Sequence, residues 1–247
     1  MNITKIDNKH VWHPYNSLPP KVDNIVVKRT FDTHLVLEDD RVLIDAMSSW
    51  WSVIHGYNNV RLQNALKEQV DIMPHVMFGG ITHEKATILC EMLSSLTGLN
   101  SVFLCDSGSV SVEVALKTAI QYQEAKGKKR YKFISFEHAY HGDTLAAMSV
   151  CDPQNSMHSI YGTYLPSHIF APSPTMGFIS DITKDVEAFE KLVLKHKNEV
   201  AGVIIEPVVQ GAGGMRIYNP DFLKEIRKIC TKNDLLLNIF HFLYDFL

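Results

Sequence analysis

Apolar and polar positions change their rhythm along the chain. Three short apolar stretches, at 24–27, 34–37 and 41–44, stand apart between polar turns, after a polar opening broken by Pro14, Pro19 and Pro20. They predict short strands of a small meandering sheet. Residues 45–57 (DAMSSWWSVIHGY) are dense in aromatic and small residues and keep no period. Trp50 and Trp51 are adjacent, so they cannot share one face of a regular element. One is expected in the core and the other in a loop, its flat ring turned to a ligand. Helical spacing follows at 60–73, with Asn58 or Asn59 as cap and Pro74 as stop. Thr82 is expected to cap a second helix through residue 96 that ends at Gly98.

From residue 100 onward, apolar runs alternate with helical stretches. A short strand is expected at 102–105, then the polar turn Asp106, Ser107, Gly108, Ser109. Val110, Val112 and Val114 alternate like a strand, but Ala115, Leu116, Ala119 and Ile120 restore helical spacing, which favours a helix to about residue 125. A strand at 131–136, a loop at 137–144 and a short helix come next. Residues 151–183 are irregular, rich in Pro, Ser and Gly, with one strand at 168–171. Thr183 is expected to cap a helix to about 197. The run at 200–205 reads as a buried strand ending in Glu206-Pro207. Asn219-Pro220 starts a helix to about 232, and 234–240 is the last strand. Strands alternating with helices predict an α/β fold whose parallel sheet is covered on both faces. There is no internal repeat and no low-complexity linker.

Length and charge narrow the classes. The 247 residues suffice for one large α/β domain, or a domain plus a smaller piece. A net charge of −3 leaves no broad basic surface for nucleic acid. The basic cluster at 126–130 falls where a helix ends, as a solvated turn complementing the dipole. Cys90, Cys105, Cys151 and Cys230 are scattered without a CxxC pair, which fits buried reduced thiols in a cytoplasmic protein. The first fifteen residues hold no apolar signal core. No run reaches the ~20 apolar residues of a membrane span; the last thirteen are too short and include Asn238, His241 and Asp245.

In open parallel sheets, ligands sit beyond the carboxyl ends of the strands. Three loops are expected there: 107–109, 139–143 and 206–214. A strand, a Gly/Ser turn and a helix start together form an anion site, with free backbone N–H groups and a favourable dipole. Gly108 permits close approach and Ser109 adds a hydroxyl. Ordinary helix capping would use the same residues. Tyr140 offers an aromatic face beside His141 and Asp143. His138 and His141 lack a third ligand at suitable spacing, and His83-Glu84 lacks a second His, so no metal is expected. The glycines at 211–214 only weakly resemble a dinucleotide fingerprint, because position 216 is Arg and no helix follows immediately.

Several blocks in order carry a resemblance: HPY (13–15), DAMSSWWSVIHGYN (45–58), HVMFGGITH (75–83), DSGSVSVEVALK (106–117), YHGDT (140–144), MSVCDP (148–153) and EPVVQGAGGM (206–215). Together they resemble class III aminotransferases of pyridoxal phosphate (PLP) fold type I, over about residues 10–236. The resemblance implies a small-domain and substrate-cleft segment at 1–57 and a large PLP-binding domain from 58 to 247. It implies that Gly108 and Ser109 hold the PLP phosphate and that Tyr140 lies against the pyridine ring. Tyr15, Trp50 and Tyr140 would contact substrate, and Glu206 would sit near the cofactor. The HPY and SSWW blocks point to the branch that moves the amino group of S-adenosylmethionine to 8-amino-7-oxononanoate in biotin synthesis, as a homodimer. Another class III ω-aminotransferase, or a non-catalytic fragment pairing with a full-length subunit, are the alternatives. A binding module for phosphate compounds ranks behind them.

The chain departs from that family near its end. The family's strand after residue 234 closes on Asp-Glu, whose Asp pairs with the pyridinium nitrogen, and the Schiff-base Lys comes later. Here the strand begins as Asp234-Leu-Leu-Leu237 and continues as NIFHFLYDFL, with Asp245 out of place. No lysine present falls in a block like the Schiff-base segment, so no catalytic residue is assigned. The change at about residue 237 is expected to reflect a frameshift or premature stop, leaving this polypeptide poorly soluble and inactive by itself.

Overall fold

The computed structural model describes residues 2–154 and 159–240. His241, Asp245 and the rest of the chain's last seven residues lie outside them. By contacts the chain divides into two compact units, 1–99 and 100–247.

The first unit opens with a helix that the polar pattern did not announce, α1 (Ile3–His10). It is built by local means: Asn2 Oδ1 accepts from Lys5 N–H at 2.9 Å, and Lys9 and His10 sit in the last turn. Strands β1 (Val27–Phe31), β2 (His34–Leu37) and β3 (Val42–Ile44) form an antiparallel meander in that order. The first strand lies later than the expected 24–27. Phe31 pairs with His34 across a two-residue turn, where Asp32 takes φ 44°. The strand is largely exposed, so turn geometry rather than burial set its register. A single turn follows, α2 (Ser48–Trp51), with positive φ at all four residues, 46–65°. Neither tryptophan is buried (Trp50 is 60 % exposed), contrary to the expectation of one in the core.

Helix α3 (Val60–Ile72) is capped by Asn59, whose Oδ1 accepts from Arg61 and Leu62 N–H. Helix α4 (Glu84–Thr97) is capped by His83 Nδ1, accepting from Ala86 N–H, instead of by Thr82. Thr82 stands one residue too early and faces the Thr87 hydroxyl. Gly98 ends α4 at φ 69°, as expected. Among the described residues of this unit, only Val36, Leu37 and Ala86 are buried apolar side chains.

The second unit is the expected α/β body. Its elements are α5 (Gly108–Ala125), β4 (Lys132–Phe136), α6 (Leu145–Ser149), β5 (Ile169–Ala171), α7 (Thr183–His196) and β6 (Val200–Ile205). Then come β7 (Val209–Gln210), β8 (Arg216–Ile217), α8 (Asp221–Lys232) and β9 (Leu236–Ile239). The parallel sheet runs β5-β4-β6-β9. From Val203 to Ile205, alternation along β6 divides the core, while an irregularity in the β4 ladder near Val200 shifts the phase before it. Val203 and Ile205 pack with Phe136, Phe189, Phe222 and Ile226, under α7 and α8. Ala201 and Ile204 pack with Val112, Leu116 and Phe133, under α5. Both faces are thus covered, and the segment from Gly108 is a helix.

Other expectations fail here. Thr183 is the first residue of α7 and not its cap, because its hydroxyl donates back to Asp181 Oδ1 at 2.6 Å. Residues 102–105 form no strand, and Phe103 is 73 % exposed. A strand needs a ladder partner, and among the described residues this segment has none. The basic cluster is not simply solvated. Lys126 and Lys128 pair with Asp234, and Arg130 is buried, its Nη1 donating to Asp234 O at 2.8 Å. Cys151 and Cys230 are buried, but Cys90 is half-buried and Cys105 exposed; all four are free thiols. None of the described helices is long and apolar enough to cross a membrane.

Candidate active site

The second unit brings its three candidate loops together. Strand β6 delivers Glu206 one residue past its carboxyl end, and β4 delivers the loop from Glu137. Glu206 Oε2 accepts from Tyr140 N–H at 3.1 Å, and Oε1 accepts from Gly211 N–H at 2.9 Å. Gln210 Nε2 donates to Glu137 O at 2.7 Å. Gly213 lies so close to His138 that an added Cβ would overlap the His138 carbonyl oxygen. Burial pushes the Glu206 carboxyl up to about 7, against the pull of its two backbone donors.

The third loop joins through Ser109. Its Oγ accepts from Asp143 N–H at 2.9 Å, although the two residues are 34 apart in sequence. Gly142, at φ 122°, is pressed against it: an added Cβ would overlap Ser109 Oγ and come within 2.9 Å of Ser109 Cα. Only glycine combines that conformation with that approach. Ser107 caps α5 by accepting from Val110 N–H at 3.3 Å. The Gly108 and Ser109 amides make no hydrogen bond to another described residue. Ser109 accepts with its oxygen, so its own hydroxyl proton remains to donate. The Ser107 cap therefore leaves the Gly108 and Ser109 amides unengaged at this turn.

Sequence reasoning missed the buried polar group beneath these loops. His141 is fully buried, and burial drives its imidazole down to about 3, so it is neutral at ordinary pH. Its Nε2 is 3.4 Å from Ser135 Oγ, the Phe240 ring meets it edge-on, and its Nδ1 has no partner among the described residues. Cys151 Sγ accepts from His141 N–H at 3.1 Å, and burial raises that thiol to about 12. Asp152 Oδ2 accepts from His138 N–H at 2.6 Å. The small block MSVCDP was the available signal, but nothing in its spacing marks it as the support of the loop before it.

The first unit brings together Tyr15 and Trp50. Their rings stack with centroids 5.8 Å apart and planes at 29°. Trp50 is carried by the left-handed turn, and Asp45 holds that turn: its carboxylate accepts from Met47 N–H at 3.1 Å, Ser49 N–H at 2.7 Å and the Tyr57 hydroxyl at 2.5 Å. The Tyr57 hydroxyl bond, more than any other contact, holds the Asp45 carboxyl below its usual range. Among the described residues no three His, Cys, Asp or Glu side chains gather as metal ligands.

A parallel sheet covered on both faces, with a helix N-terminus and two glycine-bearing loops meeting beyond its strand ends, defines an α/β protein whose site lies where ligands of such sheets bind. The class-III aminotransferase model matches residues 17–240, and the chain belongs to that family. It is 50 % identical over 232 residues to the adenosylmethionine-8-amino-7-oxononanoate aminotransferase of Buchnera aphidicola subsp. Baizongia pistaciae, covering 93 % of this chain and 54 % of that protein. The Corynebacterium glutamicum enzyme of the same name is 45 % identical over 241 residues, covering 96 % and 56 %. The crystal structure of the Methanocaldococcus jannaschii enzyme of that name superposes with a TM-score of 0.87 at 28 % identity, covering 96 % of this chain and 54 % of that one. The chain spans about half the length of the curated relatives it matches.

Proposed function

We propose that these residues belong to a PLP-dependent transaminase of biotin synthesis, which moves the amino group of S-adenosylmethionine to 8-amino-7-oxononanoate and yields 7,8-diaminononanoate. The carrying observation is the junction of two loops at the start of α5, where Gly142 packs on Ser109 and Asp143 N–H donates to its hydroxyl oxygen. These residues fit the phosphate end of PLP. When bound, the cofactor supplies the electron sink for amine–carbonyl exchange.

The chain's own residues bind and orient. Gly108 and Ser109 offer two backbone N–H groups and a hydroxyl to the phosphate, reinforced by the helix dipole. Tyr140, held by its own backbone N–H, presents its ring to the cofactor. Trp50 and Tyr15 form a stacked aromatic pair, suited to the flat adenosyl group or the oxononanoate chain. On this reading residues 1–57 belong to the small domain and substrate cleft, the large domain starts at 58, and the working enzyme is a cytoplasmic homodimer.

No lysine in residues 1–247 falls in a block like the family's Schiff-base segment. The polypeptide of 247 residues is therefore expected to bind PLP without turnover. Titration of PLP into the purified chain, followed by tryptophan quenching, tests this. Binding should be competed by inorganic phosphate and weakened in Ser109→Ala, and no 7,8-diaminononanoate should form from S-adenosylmethionine. Failure to bind PLP sinks the phosphate site. Turnover, or a borohydride-fixed lysine adduct, sinks the expectation of inactivity. A full-length relative accepting S-adenosylmethionine as sole donor, against an ω-amino acid, separates this branch from other class III enzymes.

A further inference from the structure

Glu206 is an acid without a cation. It is 5 % exposed, and no Lys, Arg or His among the described residues pairs with it. Its two oxygens are each engaged by one backbone amide, Tyr140 N–H and Gly211 N–H, from loops that follow different strands. Those residues stand 66 and 5 positions from it in the chain. A buried carboxyl is costly to desolvate, and a neutral amide of the same shape offers only one accepting atom. Here the two loops are held through two separate oxygens, an arrangement that a carboxyl provides and an amide does not. The surrounding packing points the same way. The Tyr218 hydroxyl donates to Glu206 O, Gln210 reaches Glu137 O, and Gly213 rests on His138.

We propose that Glu206 is a positioning residue that clamps the Tyr140 loop to the Gly211 loop and so fixes the Tyr140 ring at the cofactor site. The inference rests on the transaminase reading for what the ring faces, but the clamp itself does not. Backbone amide exchange, read residue by residue on the 247-residue chain, tests it in Glu206→Ala and Glu206→Gln. In Glu206→Ala the Tyr140 and Gly211 amides should exchange about ten-fold faster, the scale of one lost buried hydrogen bond each. Amides of β4 and α5 should keep their protection. In Glu206→Gln one of the two amides should loosen and the other stay protected. Wild-type protection of both amides in either folded variant overturns the clamp. The second reading is the visible circular dichroism of bound PLP, which reports the ring's surroundings. It should fall in Glu206→Ala at full phosphate occupancy and recover in part in Glu206→Gln. Loosened amides with unchanged dichroism overturn the placement of Tyr140. If the wild-type chain binds no PLP, the transaminase reading fails while the amide data still decide the clamp.

Discussion

Helices α3 and α8 are nearly equal in length and both amphipathic, yet they fare differently. Helix α8 buries Phe222, Ile226, Ile229 and Cys230 against the four-stranded sheet of its unit. Helix α3 buries none of its residues, and Leu66 is 66 % exposed. The second unit has a sheet with two apolar faces to receive helices; the first has a three-stranded meander whose buried apolar residues are Val36 and Leu37. An amphipathic pattern states that a helix has a face to bury. Whether the face is buried depends on a surface elsewhere in the chain.

The largest expected effect tests that contrast directly. Phe222→Ala should lose about 3–5 kcal/mol of stability in chemical denaturation, as a cavity in a closed core does. Leu66→Ala should stay within about 0.5 kcal/mol. Equal losses would erase the difference between the units.

Next come pH effects, which should differ in sign between them. The Glu206 carboxyl is raised from 4.5 to about 7, so the native state holds a proton that the unfolded chain gives up. Its contribution is whole below pH 4.5 and is lost as pH rises through 7. Relative to Glu206→Gln, the wild type should weaken by roughly 3 kcal/mol across that window. Asp45 of the first unit is lowered, chiefly by the Tyr57 hydroxyl, so its contribution is present above its ordinary 3.8 and fades as pH falls. The difference between wild type and Asp45→Asn should therefore slope the other way, and more weakly, because the group is exposed. His141 is depressed to about 3, so it adds stability above its unfolded value of 6.5 that is lost toward acid. Comparing each protein with its own variant removes that shared term.

Glycine substitutions sharpen the comparison at the site. Gly142→Ala should cost about 1–3 kcal/mol by overpacking against Ser109 and should also weaken phosphate competition. Gly80→Ala, at φ 80° with open space around it, should cost about 1 kcal/mol from backbone conformation alone. The smallest effect is spectroscopic: Asp45→Ala should release the turn carrying Trp50 and red-shift tryptophan emission, with less loss of stability than either glycine substitution. Unchanged emission would mean the left-handed turn holds without its anchor.

Much of the second unit was legible because its signals are local or periodic. The all-apolar run at 200–205 is β6, and Ala115, Leu116, Ala119 and Ile120 carry helical spacing within α5. Ser107 in this unit, like Asn59 and Gly98 in the first, acts on backbone groups no more than four residues away. The meeting of the loops after β4 and β6 was also foreseeable, since parallel strands deliver their following loops to one side; the 107–109 turn directly follows no strand among the described residues, and its arrival there was not.

What the sequence determined by itself is therefore the set of elements whose hydrogen bonds close within a few residues, together with the alternation that makes a covered parallel sheet. Tertiary structure decided the rest. It set Ser109 against Gly142 and Asp143, gave Glu206 one amide from 66 residues away, and stacked Tyr15 on Trp50. It also left 102–105 without a strand and made 48–51 a left-handed turn. The physical reason is range. A cap or an apolar period is written in neighbouring residues, whereas a ladder partner, a close glycine contact or a buried acid's second donor comes from wherever the strand order brings the chain back.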